Sequence, residues 1–184
     1  MQPSAVPYLV VPVIGPDGAG KSTLVRAMAE LSARRFPGSV APPRPVQMGA
    51  HASTVVDIRT PGAVVQLVDF ADIRAEDALL GSTRFHAALL VVSAIDSVVP
   101  RTLDSLAGAR ERGIRIAAAV LTRCREVADE ELVDLVTMEI GEMLAKHLHA
   151  RGEIPVVAVD AMGALEGVPR WGEAVAGLVR AVGA

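Results

Sequence analysis

The residues best suited to chemistry lie in the run GPDGAGKST, residues 15–23. The run fits the phosphate-loop pattern G-x-x-x-x-G-K-[ST] at every fixed position. Such a loop turns backbone N–H groups inward to bind a polyphosphate at a helix N-terminus, where the helix dipole also favours an anion. If this run were only a glycine-rich turn without a ligand, packing would not require the Lys-Ser-Thr that follows it. We therefore predict nucleotide phosphate binding by Gly15, Asp17, Gly18, Ala19, Gly20, Lys21, Ser22 and Thr23.

Two side chains of the chain are candidate ligands of Mg²⁺. The Ser22 hydroxyl would hold the ion while Lys21 bridges the outer phosphates. Asp69 ends the apolar run 64–68, and an acid in that position reaches magnesium through water. The alternative role for Asp69 is to cap the turn after the strand, but the phosphate loop upstream favours the metal role. No residue is identified as catalytic.

The elements around the run match the strand–loop–helix order that the motif requires. An apolar strand is predicted over residues 8–14, and a helix over 21–36 is stopped by Pro37-Gly38. Strands and helices then alternate, which predicts a parallel α/β fold. Residues 39–52 are too rich in proline for a helix or a central strand, so we predict an irregular loop there. The remaining predicted strands are 53–58 and 63–68 (a hairpin), 87–93, 114–121 and 154–159; the predicted helices are 74–84, 100–112, 129–150 and 171–182.

Composition indicates a packed globular protein. Of 184 residues, 51% are hydrophobic and 21% are charged, so we expect one domain over residues 1–184. Only five residues are aromatic, so the core must be built from aliphatic side chains, as suits parallel strands covered by helices. A net charge of −3 argues against a broad nucleic-acid interface, which needs a dense basic face.

Cysteine content and hydropathy indicate the cellular compartment and whether the chain spans a membrane. Cys124 is the single cysteine, which excludes an intrachain disulfide and a cysteine-based metal site. The N-terminal residues do not form a readable signal peptide, and the longest apolar stretches, 87–92 and 116–121, are too short to span a bilayer. We expect a cytoplasmic protein with no membrane span.

Three segments resemble the GTP-binding domain of bacterial elongation factor Tu and its translational-GTPase relatives. They are residues 88–96 with Pro100-Arg101-Thr102, residues 129–140, and residues 164–167. The resemblance spans nearly the whole chain and is weakest at residues 36–62. It covers only the first domain of an elongation factor. We expect no counterpart of the two β-barrels that bind aminoacyl-tRNA. It implies a P-loop NTPase fold of the G-domain type, with a six-stranded, mostly parallel sheet whose second strand is antiparallel. It also implies Mg²⁺ and GTP, GDP or another purine nucleotide as ligands.

The chain departs from the resemblance at the motif that senses the γ-phosphate. The family has Asp-x-x-Gly followed by His, whereas this chain has Asp69-Phe70-Ala71-Asp72 followed by Ile73. The family's glycine offers a backbone N–H to the γ-phosphate, and a carboxylate at position 72 should repel that group. The alkyl side chain of Ile73 cannot orient the attacking water as the histidine does. The resemblance therefore implies slow or absent hydrolysis.

The base-reading motif and the effector threonine also depart from the resemblance. The family's Asn-Lys-x-Asp aligns with Thr122-Arg123-Cys124-Arg125, and Arg125 has only donors where the aspartate accepts from guanine. The loop that reads Ser-Ala-Leu/Lys in the family is Asp160-Ala161-Met162-Gly163 here, and Asp160 could offer an acceptor to a base. Ser53 or Thr54 is nearest to the magnesium-binding threonine.

Three functions are compatible with these residues. The first is magnesium-dependent binding of a GTP-like nucleoside triphosphate with weak guanine selectivity. The second is a pseudo-GTPase, an interaction module that binds no nucleotide and has an unidentified protein partner. The third is a nucleotide or small-molecule kinase, because residues 17–23 look like the phosphate loop of thymidylate kinase, with Asp17 beside the phosphoacceptor. A kinase needs an arginine-bearing lid, which the sequence does not show.

Overall fold

The structure is a computed structural model that describes residues 6–36, 43–48, 51–80, 84–127, 129–148 and 153–183. Strands and helices alternate along most of the chain, as the sequence predicts. The strands are β1 Tyr8–Ile14, β2 Arg44–Met48, β3 His51–Arg59, β4 Val64–Phe70, β5 Ala88–Ser93, β6 Ile116–Thr122 and β7 Val156–Ala158. The helices are α1 Lys21–Arg35, α2 Ile73–Leu80, α3 Pro100–Glu111, α4 Glu130–Leu148, α5 Ala161–Leu165 and α6 Pro169–Val182.

The strands form one mixed sheet in the order β2-β3-β4-β1-β5-β6-β7. Strands β4, β1, β5, β6 and β7 run parallel to one another, while β3 pairs antiparallel with both β4 and the edge strand β2. Because β1 pairs with β4 over Tyr8–Val13, their carboxyl ends meet at the same edge of the sheet. This register brings the loop after β1 close to Asp69 of β4.

The expected six-stranded sheet is wrong, since the described residues contain seven strands. The additional strand is β2, in the stretch that was predicted to be an irregular loop; residues 37–42 and 49–50 of that stretch lie outside the described residues. Pro45 lies within β2 opposite Thr54 of β3. Proline has no N–H to donate, and the sheet accommodates it because β2 is an edge strand.

Two hydrophobic layers enclose the sheet, because successive residues of a strand point to opposite faces. On one face, Val13, Leu67 and Leu89 pack in a cluster with residues of α1, α5 and α6. On the other face, Ile14 and Val68 pack in a second cluster with residues of α2, α3 and α4. Helices on both faces explain why most residues of the parallel strands are apolar.

The helix boundaries differ from the sequence prediction mainly at short elements. The short helix α5 was not predicted; it begins after Asp160, whose side chain accepts a hydrogen bond from Gly163 N. Helix α6 begins at Pro169 rather than at residue 171, in keeping with the preference for proline in the first helical turn. Among the helices that the structure describes, none has the length and hydropathy needed to cross a membrane.

Candidate functional site

The loop between β1 and α1 leads directly into the N-terminus of α1. Gly20 is the N-cap of this helix, with a φ of 86°, and its carbonyl accepts the first helical hydrogen bond from Leu24 N at 3.0 Å. No side chain caps α1. Within the described residues, the first N–H groups of the helix therefore lack an N-cap side chain as an acceptor, which leaves them available to an anion.

Lys21 is almost completely buried beneath the loop, with 7% of its surface exposed. Its Nζ donates to Gly15 O at 2.8 Å and to Pro16 O at 2.9 Å, and lies 3.6 Å from Asp17 Oδ1. The ammonium group is thus held at the loop by two carbonyls and an exposed carboxylate. A phosphate that displaced Asp17 would find a cation already in position.

Asp69 and Ser22 form a pair of oxygen donors beside Lys21. Asp69 is buried, and its Oδ1 has no hydrogen-bond partner within the described part of the chain. Burial raises the pKa of Asp69, and the Ser22 hydroxyl and the charge of Lys21 oppose this effect. A buried carboxylate oxygen without a donor calls for a further partner. Carboxylate and hydroxyl oxygens suit Mg²⁺, so the donor set fits the ion that the sequence predicts.

Ser53 and Thr54 lie in strand β3 rather than in a loop. They pair across the sheet with Phe70 and Asp69 of β4, respectively. Thr54 is therefore the cross-strand neighbour of the proposed magnesium ligand. Neither residue occupies a loop that could close over a ligand as an effector threonine does.

Asp72 caps helix α2. Its Oδ1 accepts a hydrogen bond from Ala75 N at 2.9 Å, and Asp72 directly precedes Ile73, the first residue of the helix. This is the usual geometry of an N-cap aspartate. The carboxylate at the position of the family's glycine thus has a local role in starting α2.

A cavity of about 230 Å³ lies on the other side of the phosphate loop. Thr122 of β6 borders this cavity. Its hydroxyl is within hydrogen-bonding distance of two carbonyl oxygens, Ala19 O of the loop and Val92 O of β5, the latter at 3.1 Å. A single side chain thereby fixes the loop to two strands. The cavity is lined by Gly18, Gly20, Thr23, Thr122, Arg123, Arg125, Glu126, Asp160, Ala161 and Met162.

The charged groups of this cavity are paired with one another. Asp160, the acceptor considered for a base, receives Gly163 N on Oδ1 and Arg125 N on Oδ2, the latter at 3.3 Å. The Arg125 guanidinium also pairs with Glu166 outside the cavity. Arg123 donates to both oxygens of Glu126 at 2.8 Å. The two carboxylates that line the cavity are therefore already engaged.

Cys124 borders the same region but is chemically shielded. Its thiol is 5% exposed, and burial raises its pKa to about 11. At pH 8 a thiol with an ordinary pKa of about 8.5 is roughly one-quarter thiolate, whereas this thiol is about one-thousandth thiolate. We expect an aromatic disulfide reagent to label the folded protein at least about 100-fold more slowly than the protein in urea. Cys124→Ser gives the background, and equal rates in the two states would contradict this environment.

Glu76, which is 1% exposed, is a site residue that the sequence does not reveal. This residue of α2 accepts a hydrogen bond from Gly15 N at 3.2 Å on its Oε2. Burial raises the pKa of Glu76; the Ser105 hydroxyl, the Gly15 N–H and the charges of Arg101 and Lys21 oppose this effect. The only signal in the sequence is an acid within an otherwise apolar helix face, which does not by itself indicate contact with the phosphate loop.

Two larger depressions lie at the opposite end of the sheet. Each has a volume of about 580 Å³, and they share residues 153–155, which precede β7. Ligands of open α/β sheets bind at the carboxyl ends of the strands. The smaller cavity beside the phosphate loop is therefore the better candidate for a ligand.

Comparison with known proteins supports the resemblance drawn from the sequence. No model of a protein family matches the chain. The chain is 33% identical over 188 residues to elongation factor Tu 2 of Streptomyces avermitilis. The match covers 96% of this chain and 47% of that protein, so the chain spans about half the length of its curated relative.

Proposed function

We propose, from the premise that this chain is a divergent relative of the GTP-binding domain of elongation factor Tu, that it binds a nucleoside triphosphate together with Mg²⁺. We further propose that hydrolysis is slow or absent and that guanine is not read specifically. The observation that carries the proposal is the buried Lys21 at a loop whose helix terminus has no side-chain cap. A cation and N–H donors converge there, and among the described residues the only acid that forms an ion pair with the lysine is the exposed Asp17.

At the phosphate end, Lys21 would exchange its contacts for oxygens of the ligand. Its Nζ is 3.6 Å from Asp17, and an ion pair with an exposed partner contributes little to stability. A polyphosphate competes well with such a partner because it offers several charged oxygens at once. The backbone N–H groups of α1 would orient the same phosphates.

Ser22 and Asp69 would hold the magnesium ion, Ser22 directly and Asp69 through water. The unpartnered Oδ1 of Asp69 supports this assignment, since a buried carboxylate oxygen needs a donor or a cation. When bound, the ion would neutralise phosphate charge.

The residues after Asp69 support the proposal that hydrolysis is slow or absent. The side chain of Asp72 caps α2, and position 73 carries an alkyl side chain that has no hydrogen-bonding group. The alkyl group of Ile73 cannot orient a water molecule for attack on a phosphate, and the carboxylate of Asp72 is engaged at the helix start. The site therefore has the means to bind a triphosphate but lacks the residue that the family uses to hydrolyse it.

The ion pairs of the cavity support weak base selectivity. Guanine presents two N–H donors that a free carboxylate would accept, but Asp160 and Glu126 already accept hydrogen bonds from protein groups. Discrimination between bases depends on polar groups that would otherwise be left unpaired. In this cavity those groups pair with each other, so no base is required to complete them.

A pseudo-GTPase that binds no nucleotide is the second candidate. The observation that favours it is that Lys21 has three oxygen partners from the loop itself. The lysine therefore needs no phosphate to be satisfied. The two candidates differ in a single measurable property, the affinity for nucleotide.

Titration calorimetry of the nucleotide-free protein distinguishes them. We expect GTP and ATP to bind with micromolar dissociation constants that differ by less than about tenfold, and binding to weaken when Mg²⁺ is removed. A ligand at 100 times its dissociation constant should also raise the unfolding free energy by about 2.7 kcal/mol.

Inosine triphosphate serves as a matched ligand, because it lacks only the exocyclic amine of guanine. Equal affinity for GTP and inosine triphosphate is expected if no carboxylate reads the base. A strong preference for GTP over both other nucleotides would contradict the weak selectivity but leave nucleotide binding intact. No binding by any of them would support the pseudo-GTPase instead.

A further inference from the structure

Glu76 is a buried carboxylate at the start of the phosphate loop, and the proposed function does not use it. Its Oε2 accepts a hydrogen bond from Gly15 N at 3.2 Å. Its Oε1 lies 3.7 Å from Arg101 Nη2 of α3 and accepts no hydrogen bond from any described residue. Ala75, Leu79 and Leu80 of the same helix belong to the apolar cluster on this face of the sheet.

Packing alone does not explain an acid in this place. A buried charge has a large desolvation cost, and a hydrophobic side chain of similar volume is often at least as stabilising. The partial pairing of Glu76 with Arg101 is longer than a charge-assisted hydrogen bond. Beyond volume, the carboxylate contributes its ion pair with Arg101 of α3 and its hydrogen bond from Gly15 N, and the hydrogen bond is the contact that reaches the phosphate loop.

Gly15 is held from two sides. Glu76 of α2 accepts from its N–H, and Lys21 of α1 donates to its carbonyl at 2.8 Å. The backbone of Gly15 has a φ of 134°, and the loop contains two more glycines with positive φ. Ordering such a loop on binding would reduce affinity, so a contact that orders it beforehand increases affinity.

We propose that Glu76 is a positioning residue that fixes the first residue of the phosphate loop for phosphate binding and joins α2 to that loop. The inference rests on the proposed function and deepens it. Helix α2 begins three residues after β4, which carries Asp69. Glu76 thus links the loop that precedes Lys21 to the segment that follows Asp69, so we expect nucleotide binding at the loop to order α2 as well.

Two substitutions of Glu76 that preserve the approximate size of the side chain test the inference, because only one of them keeps a hydrogen-bond acceptor. Glu76→Gln keeps an oxygen that can accept from Gly15 N, and we expect its nucleotide affinity to stay within about threefold of the wild-type value. Glu76→Leu removes the acceptor but fills the same space. We expect it to bind nucleotide at least about tenfold more weakly while its urea midpoint stays equal to or above that of the wild type.

Asp77→Asn is the matched control. Asp77 is an exposed acid on the same helix and pairs with the same Arg101 at 3.1 Å, and within the described part of the chain it forms no ion pair with the loop. Its substitution should leave affinity unchanged. Hydrogen exchange of the wild-type protein provides a second readout, in which saturating nucleotide should slow exchange in α2 as well as in the loop.

Wild-type affinity in Glu76→Leu, or α2 exchange that does not respond to nucleotide, overturns the inference and leaves the proposed function standing. Parallel loss of affinity and stability in both Glu76 variants assigns the residue a merely structural role and also overturns it. If the wild-type protein binds no nucleotide, the proposed function fails and the inference fails with it.

Discussion

Replacing Lys21 with alanine is expected to abolish detectable nucleotide binding, weakening affinity by at least about 100-fold. The reason is that the lysine would donate charge-assisted hydrogen bonds to the phosphates, each contributing about 1.5–3 kcal/mol. Its ammonium already lies at the loop, so alanine removes a cation that is in place before the ligand arrives. Titration calorimetry in the presence of Mg²⁺ measures the loss directly.

The fold should survive this substitution. Lys21 is the first residue of α1, and alanine is the most favourable residue in a helix. The chain offers a matched control in Lys146, its only other lysine, which is exposed in the last turn of α4. Lys146→Ala should bind nucleotide like the wild type. If Lys21→Ala binds within fivefold of the wild-type affinity, the loop is not the phosphate site.

The core of the candidate site could be predicted from sequence because its determinants are contiguous. The apolar run of β1, the glycine-rich loop and the start of α1 follow one another, so local patterns locate all three. The observed bounds of β1 and α1, Tyr8–Ile14 and Lys21–Arg35, agree with the prediction to within one residue. Asp69 could be placed as well, since parallel strands bring their carboxyl ends to one edge.

Features that depend on pairing across the chain could not be predicted. Strand β2 contains Pro45, which argues against a strand until its position at the sheet edge is known. Ser53 and Thr54, the residues nearest to the family's magnesium-binding threonine, pair with Phe70 and Asp69, and this register is not visible in the sequence alone. Glu76 gains its meaning only where α2, α3 and the phosphate loop meet.

Asp72 shows how one residue supports two interpretations. The resemblance alone predicts a carboxylate that repels the γ-phosphate. The structure shows the same carboxylate accepting a hydrogen bond from Ala75 N. A sequence cannot distinguish these roles at a helix start, because an aspartate is favoured there for capping whatever lies beyond it. The aspartate at position 72 therefore departs from the family's sensor motif and at the same time stabilises the start of α2.

Replacing Gly15 with alanine is expected to destabilise the folded protein by roughly 2–5 kcal/mol. Its φ of 134° is one that L-residues rarely adopt. An added Cβ would also lie 2.3 Å from the carbonyl oxygen of Val91, in the fully buried strand β5. The obstructing atom belongs to the backbone of a central strand, so it cannot move aside as a flexible side chain could.

Gly18→Ala separates these two causes. Gly18 also has a positive φ, of 77°, but a Cβ there would have no atom within 4 Å. Both variants have the cost of an unfavourable backbone conformation, while only Gly15→Ala has the steric clash. Urea denaturation with an unchanged m-value measures the two unfolding free energies. We expect Gly15→Ala to be the less stable by at least about 1–2 kcal/mol; equal losses would mean that β1 and β5 do not approach as closely at this loop as the sheet requires.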